Sequence, residues 1–237
     1  MIRAAFRRHR ALSITALALT VVLLAATAAE LAARTMLQDR LATAAGRALG
    51  KDSTVDIDGG PALLALLDRH LDAVTISNDH ATLGRIPDVS VRARLQDVRL
   101  TGERAGTVAA VHAHVEIPAT SLQDLTGTNG SRLPVTDVRL DEKADTITLG
   151  LGQGGLGQAT VQPRLQDGRV ALHLENAEIL GRPAPPRFLD RIQNTLTTRT
   201  DADYPLGLKA TSLDVTTTGL SIGLDAGHTR LPARTRT

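Results

Sequence analysis

Two long runs of alternating side chains, joined across Gly102 to Gly106, dominate the hydrophobic pattern of the chain. In the first, Val89, Val91, Ala93 and Leu95 alternate with Ser90, Arg92, Arg94 and Gln96. In the second, Ala109, Val111, Ala113, Val115 and Ile117 alternate with His112, His114 and Glu116. A period of two over such lengths predicts antiparallel strands with one apolar and one wet face. The phase slips at Asp97, because Val98 and Leu100 are even-numbered where Val89 to Leu95 are odd. One extra residue reverses facing, so a β-bulge is expected there.

Shorter runs carry the same rhythm. Val55 and Ile57 mark one strand, and Val74 and Ile76 begin another that runs towards Leu83. Val135, Val138 and Leu140 precede Ile147, Leu149 and Leu151, and then come Val161 and the trio Val170, Leu172 and Leu174 around Asp167-Gly168. Leu208 to Val215 and Leu220 to Leu224 close the series across a Thr-rich turn. Asp97-Val98-Arg99-Leu100 recurs as Asp137-Val138-Arg139-Leu140, a weak sign of repeated hairpins. Helical spacing is found at Leu37, Leu41, Ala44 and Ala48, in a stretch that reads as a stalk or as a first helix packed on the sheet. Pro61 suits a helix start before Leu63, Leu64, Leu67 and Leu71. Ala119 to Leu125 predicts a short helix, and Phe188, Ile192 and Leu196 predict another after Pro183, Pro185 and Pro186.

The N-terminus is of a different kind. Arg3, Arg7, Arg8 and Arg10 make residues 1–10 a basic flank, and residues 11–29 carry no charge. As a helix that stretch is roughly 28 Å long, about one hydrocarbon thickness. Positive charge before it predicts a cytoplasmic flank, with residues 30–232 as one extracytoplasmic domain and 233–237 as a loose tail. A retained single-pass anchor in the plasma membrane and a signal segment cleaved near Ala26 to Ala29 are the competing expectations; cleavage would make the domain secreted.

Composition narrows the chemistry. The net charge is +2 over 237 residues, and the basic flank accounts for much of the positive charge, leaving the body close to neutral. No concentrated basic surface for tracking phosphates is visible. Cysteine and tryptophan are absent, and Phe6, Phe188 and Tyr204 are the whole aromatic complement, which leaves almost nothing for stacking on bases or sugars. The glycine-rich run Gly150 to Gly157 lacks the lysine and hydroxyl of a P-loop and the order of a dinucleotide fingerprint. His112, His114 and Glu116 could share a strand face as metal ligands, but a third site-closing residue is not identified, and a solvated polar face is the simpler expectation. The acidic pairs Asp56/Asp58 and Asp201/Asp203, and the serines Ser121 and Ser221, stand in no catalytic pattern. A non-enzymatic protein without cofactor is expected, with an envelope hydrolase as the outlying class.

What remains is aliphatic surface. Strands rich in Val, Leu and Ile either close as a dry core, giving a structural or protein-interaction domain, or leave a slot for an acyl chain. Each buried methylene contributes about 0.8 kcal/mol, enough for a lipid to bind without polar catalysis. The slot candidates on the predicted helices are Leu63, Leu64, Leu67 and Leu71, with Phe188, Ile192 and Leu196. Those on the central strands are Val89, Val91, Leu95, Val111, Val115 and Ile117. The later strands add Ile147, Leu149, Val170, Leu172 and Leu174. Arg92, Arg94 and Arg99 are headgroup candidates, provided they lie at the mouth of the slot.

The segment Tyr204-Pro205-Leu206-Gly207-Leu208-Lys209-Ala210-Thr211-Ser212-Leu213, followed by Asp214-Val215 and Thr218-Gly219-Leu220, resembles the LmeA-like phospholipid-binding family of actinobacteria. Gly59-Gly60-Pro61 to Leu71 and the strands from Val89 to Ile117 share in the resemblance, which covers roughly residues 34–232. It implies an α+β fold in which a curved antiparallel sheet wraps a long helix, as in tubular lipid-binding domains, after an N-terminal transmembrane helix. It also implies phospholipid as partner, outside the plasma membrane, in cell-envelope lipid or glycolipid homeostasis, and it brings no catalytic residues.

Overall fold

The computed structural model of the protein describes residues 27, 28, 30–36, 38, 53–60, 68–83, 86–101, 105–122, 135–152, 156–187, 189, 190, 192, 193 and 204–231. The alternating segments form two open antiparallel sheets. The first contains β1 (Thr54–Asp58), β2 (His70–Leu83), β3 (Ile86–Thr101) and β4 (Ala105–Pro118), then β10 (Lys209–Val215), β11 (Gly219–Ala226) and β12 (Thr229–Leu231). The second contains β5 (Val135–Asp141), β6 (Thr146–Leu151), β7 (Gly157–Gln166), β8 (Arg169–Ile179) and β9 (Arg182–Pro183). The first sheet runs β1-β2-β3-β4-β11-β10, with β12 paired to the remaining length of β4, and the second runs β5 to β9 in chain order. Both sheets end on edge strands and neither closes into a barrel.

The central hairpin pairs Val91 with Val115 and Leu95 with Val111. Its odd-numbered apolar residues are therefore in step, and Val89, Val91, Val111 and Val115 are buried. The slip at Asp97 is not a bulge of one strand. The pairs Leu71–Val98 and Val74–Leu95 keep one register, as do Val98–Val108 and Leu95–Val111. All six side chains belong to one apolar cluster. A regular strand sends residues three apart to opposite faces. β2, β3 and β4 must therefore all depart from regularity along one row, Asp72–Asp97–Ala109, and Asp97 does so with a φ of +49°. Because the strands break phase together, the sheet bends without losing register. His70 Nε2 lies 2.9 Å from Asp97 Oδ1 at this bend, an ion-pair contact without hydrogen-bond alignment. Arg99 Nε donates to the same oxygen at 3.0 Å. The repeated tetrapeptide reproduces this detail, since Arg139 Nε donates to Asp137 Oδ2 at 2.8 Å.

The sheets meet where the β7–β8 turn reaches β10. Asp167 and Gly168 both have positive φ, 53° and 75°, the two-residue turn that matches strand twist. Gly168 is needed for a second reason, because a Cβ there would lie 2.9 Å from Lys209 Cβ. That close approach lets Ala210 N–H donate to the Gly168 carbonyl at 2.7 Å. The free edge of β8 is covered differently. Gln193 accepts from Leu174 N–H at 2.8 Å and donates to the Leu172 carbonyl at 3.1 Å, replacing a missing strand partner.

Helical residues occur at 27, 28, 30–36 and 38, at 68, at 119–122 and within 186–193. In the first stretch Ala33 is buried and Arg34 Nη2 donates to the Ile57 carbonyl at 3.0 Å, so it packs on β1 as a first helix of the domain.

The structure corrects several expectations. Among the described residues no helix is long and apolar enough to cross a membrane; a span needs about 20 apolar residues, whereas residues 30–36 include Glu30 and Arg34 and dock on protein. The transmembrane helix, the single-pass placement and the contact with the plasma membrane through residues 11–29 are not what the structure supports; residues 11–26 lie outside the described set. The α+β class with a curved, open antiparallel sheet stands, with the strands divided between two sheets whose apolar faces share one cluster. Leu71 belongs to β2 rather than to a helix, and residues 61–67, with Leu63, Leu64 and Leu67, lie outside the described residues.

Candidate functional site

The apolar faces of the two sheets converge on one seam. Val89 and Val91 of β3 and Val115 and Ile117 of β4 belong to the same cluster as Ile147, Val161 and Val170 of the second sheet, with Leu149 and Leu174 packed against it. Six of the proposed slot residues are thus brought together in its buried part, and two more line its flank. Leu220, Ile222 and Leu224 of β11 complete the wall. Their period-two spacing signals an inward face that the slot candidates omit. Leu71, Leu95 and Val111 belong to a second cluster, with Val55 and Ile57, that straddles the bend. Ile192 packs in a third cluster, on Ala159, Ala177 and Ala184, and Leu174 touches both this group and the seam. Leu172 instead lines a cleft of about 310 Å³ with Arg164, Gln166, His173 and Gln193. Phe188 and Leu196 lie outside the residues whose side chains are described.

The segment from Tyr204 to Leu213 is the joint of this arrangement. Pro205–Gly207 form a 3-10 turn in which Leu206 and Gly207 have positive φ, 60° and 68°. The turn aims Tyr204 at the second sheet, where its hydroxyl accepts from Val170 N–H at 3.2 Å. Leu208 packs against both the seam and the cluster at the bend. This tyrosine needs its hydroxyl partner because the ring enters apolar surroundings. Sequence alone offers no sign that a residue 34 positions away supplies it.

The headgroup candidates stand elsewhere. Arg92 and Arg94 are exposed and alternate with buried Val91 and Leu95, so they occupy the sheet face turned away from the seam. Arg94 Nη1 pairs with Asp58 Oδ2 at 3.3 Å. Arg99 sits at the bend with Asp97.

That outer face carries the polar row containing His112, His114 and Glu116, but not in a catalytic order. Ser221 Oγ lies 3.4 Å from His114 Nε2, and Glu116 Oε1 lies 3.3 Å from the same nitrogen. A general base must accept from the nucleophile on one ring nitrogen while the other donates to a carboxylate. One nitrogen cannot serve both. His112 Nδ1 contacts Asp225 Oδ1 at 2.6 Å, and Thr211 Oγ1 donates to Asp225 Oδ2 at 2.8 Å, so this hydroxyl is held by the carboxylate and not by the imidazole. Among the described residues no group of three or more His, Cys, Asp or Glu could hold a metal ion. The row is a hydrogen-bonded outer surface.

Thr211 reaches Asp225 because β10 carries a bulge between Ala210 and Ser212, a detail the alternating sequence does not reveal. Its hydroxyl, and next the His112 hydrogen bond, hold the Asp225 carboxyl below its ordinary range. A depressed carboxyl contributes stability that is complete above its unfolded pKa and is lost as pH falls through the folded value. Thr211→Val is expected to move the Asp225 midpoint upward, read from its carboxyl shift in an NMR titration. An unmoved midpoint would assign the depression to His112 instead.

A family model described as LmeA-like phospholipid-binding matches residues 24–225, most of the chain. The chain belongs to this family. Among curated proteins it is similar to the uncharacterized protein Rv0479c of Mycobacterium tuberculosis and the uncharacterized protein Mb0489c of Mycobacterium bovis, each 25% identical over 200 residues. The alignments cover 81% of this chain and 56% of each relative, so the chain spans about half the length of the curated relatives it matches. No solved structure matches. The segment from Tyr204 to Leu213, which carries the resemblance, lies within the matched residues and joins the two sheets through the Tyr204–Val170 hydrogen bond and Leu208.

Proposed function

We propose that the protein binds phospholipid outside the plasma membrane, holding an acyl chain along the inter-sheet seam, in support of envelope lipid homeostasis. The observation that carries this reading is the family match over residues 24–225. The seam fits it in kind. Its walls are valine, leucine and isoleucine from two separate open sheets, surfaces that can slide on an alkyl chain, and each methylene enclosed contributes about 0.8 kcal/mol. In this reading the described slot residues Val89, Val91, Val115, Ile117, Ile147, Val170, Leu149 and Leu174 contact the chain directly. Leu95 and Val111 extend the apolar surface up to the bend, and Leu71 continues it on the far side. Arg92 and Arg94 face away from the seam and serve the outer polar surface. Open sheets with free edges also argue against a closed-core structural domain.

Native mass spectrometry of the gently purified protein tests the proposal. The expected result is a bound species with the mass of a phospholipid, released by organic extraction and retained in Arg92→Ala and Arg94→Ala variants. Protein that emerges lipid-free and takes up no phospholipid from vesicles would overturn it.

A further inference from the structure

One end of the second sheet exposes aliphatic side chains at a turn whose backbone does not favour them. Leu180 is 71% exposed, Leu156 54% and Ile179 37%. Leu180 N–H donates to the Leu156 carbonyl at 2.7 Å, and Ile179 pairs with Gly157, so the three residues share one tip. Leu180 and Gly181 link β8 to β9 between the paired residues Ile179 and Arg182, with φ of +52° and +70°. Such a turn is made for Asn-Gly or Gly-Gly, and a leucine in the left-handed region sets its Cβ against the following carbonyl. The other described leucine at positive φ, Leu206, is half-buried, and its carbonyl accepts from the Thr229 hydroxyl at 3.0 Å. Leu180 has no such burial. Backbone preference and solvation would both be served better by asparagine, so neither accounts for leucine at this position.

We propose that this tip is a bilayer contact: Leu180, Leu156 and Ile179 enter the acyl boundary of a phospholipid membrane, with exposed Arg182 at the level of the phosphates. Three aliphatic side chains on a convex turn are far smaller than a specific protein interface and lack its aromatic anchors. A fluid apolar medium needs no matching shape. The tip also opens onto the seam proposed above to hold lipid. Gly157 and Ile179 lie one inward pair away from Ala159 and Ala177, whose cluster includes Leu174, the residue that also packs against the seam. A lipid leaving the bilayer at the tip would therefore follow continuous apolar surface inward. The inference rests on the phospholipid-binding reading.

The chain contains no tryptophan, so Leu180→Trp introduces the sole indole. With vesicles of phosphatidylcholine and phosphatidylglycerol, its emission is expected to shift to shorter wavelength and to become shielded from aqueous quenchers. A Leu156→Asp/Leu180→Asp double variant is expected to lose vesicle association at least about tenfold and to take up phospholipid from vesicles more slowly, with an unchanged melting temperature. An indole that stays wet beside vesicles, or a double variant that partitions like the wild type, would overturn the tip and leave lipid binding standing. Loss of both bound lipid and vesicle affinity in the wild-type protein would overturn both.

Discussion

Replacing Val89 with aspartate is expected to remove several kcal/mol of stability, lowering the urea midpoint by a molar or so, and to empty the seam of any retained lipid. Val89 is fully buried and faces Ala81, also fully buried, across the β2–β3 pairing. Its cluster draws on both sheets and is built from aliphatic side chains. A carboxylate there would be uncompensated, and an unpaired buried charge costs about 3–5 kcal/mol. That is a large share of the 5–15 kcal/mol or so available to a typical domain. Arg92→Gln, three residues along and on the opposite face, should change stability by no more than about 0.5 kcal/mol. Urea denaturation followed by far-UV circular dichroism measures both. If Val89→Asp unfolded within a few tenths of a molar of the wild-type midpoint, the seam would have to be wet, and the physical reason for seating an acyl chain there would be gone.

The contrast between those two positions was legible in the alternation of β3, because a buried face opposite a wet one is a local property. Val91 against Val115 follows directly from two strands of equal phase. Features set by neighbours were not legible. Asp97 looks like a bulge when β3 is read alone, and only the pairings show β2 and β4 breaking phase along the same row. Leu63, Leu64, Leu67 and Leu71 have helical spacing, yet Leu71 is held in a strand by Val98, so tertiary pairing overrides the local period. β12, at Thr229–Leu231, is too short to carry any rhythm and exists because β4 has unpaired length beside it. The slot candidates were half legible for the same reason. Inward facing can be read from parity, but the assignment of Leu95 and Val111 to the cluster at the bend, and of Leu172 to a separate cleft, depends on how the sheets fold over. Tyr204 was visible as part of a family-like segment. Its role in joining the sheets was not, because its partner Val170 lies 34 residues earlier.

Gly219 and Gly223 give the second large effect, because alanine should be costly at one and cheap at the other within a single strand. Both lie in β11, paired to β4 at Pro118 and His114 respectively. A Cβ on Gly219 would fall deep inside contact with the carbonyl oxygen and carbon of Ile117, with Pro118 Cα 3.0 Å away. Every one of those atoms is main chain, and the Gly219 carbonyl is itself fixed by Thr216 N–H at 2.9 Å and the Thr216 hydroxyl at 3.0 Å. The clash can be relieved only by moving β4 against β11, at the point where Ile117 and Leu220 enter the seam. Overpacking of this kind costs about 1–3 kcal/mol, and a backbone neighbour places Gly219→Ala at the upper end. A Cβ on Gly223 meets the Ser212 hydroxyl instead, with the remaining neighbours at 3.5 Å or more. That oxygen can rotate away, so Gly223→Ala should be nearly neutral, and relief of unfolded-chain entropy works in its favour. The expected result is a Gly219→Ala protein that melts several degrees lower, as 2 kcal/mol or so implies for a domain of this size, beside a Gly223→Ala protein that melts with the wild type. Equal melting temperatures would mean that β4 and β11 are not held at the spacing on which the seam depends.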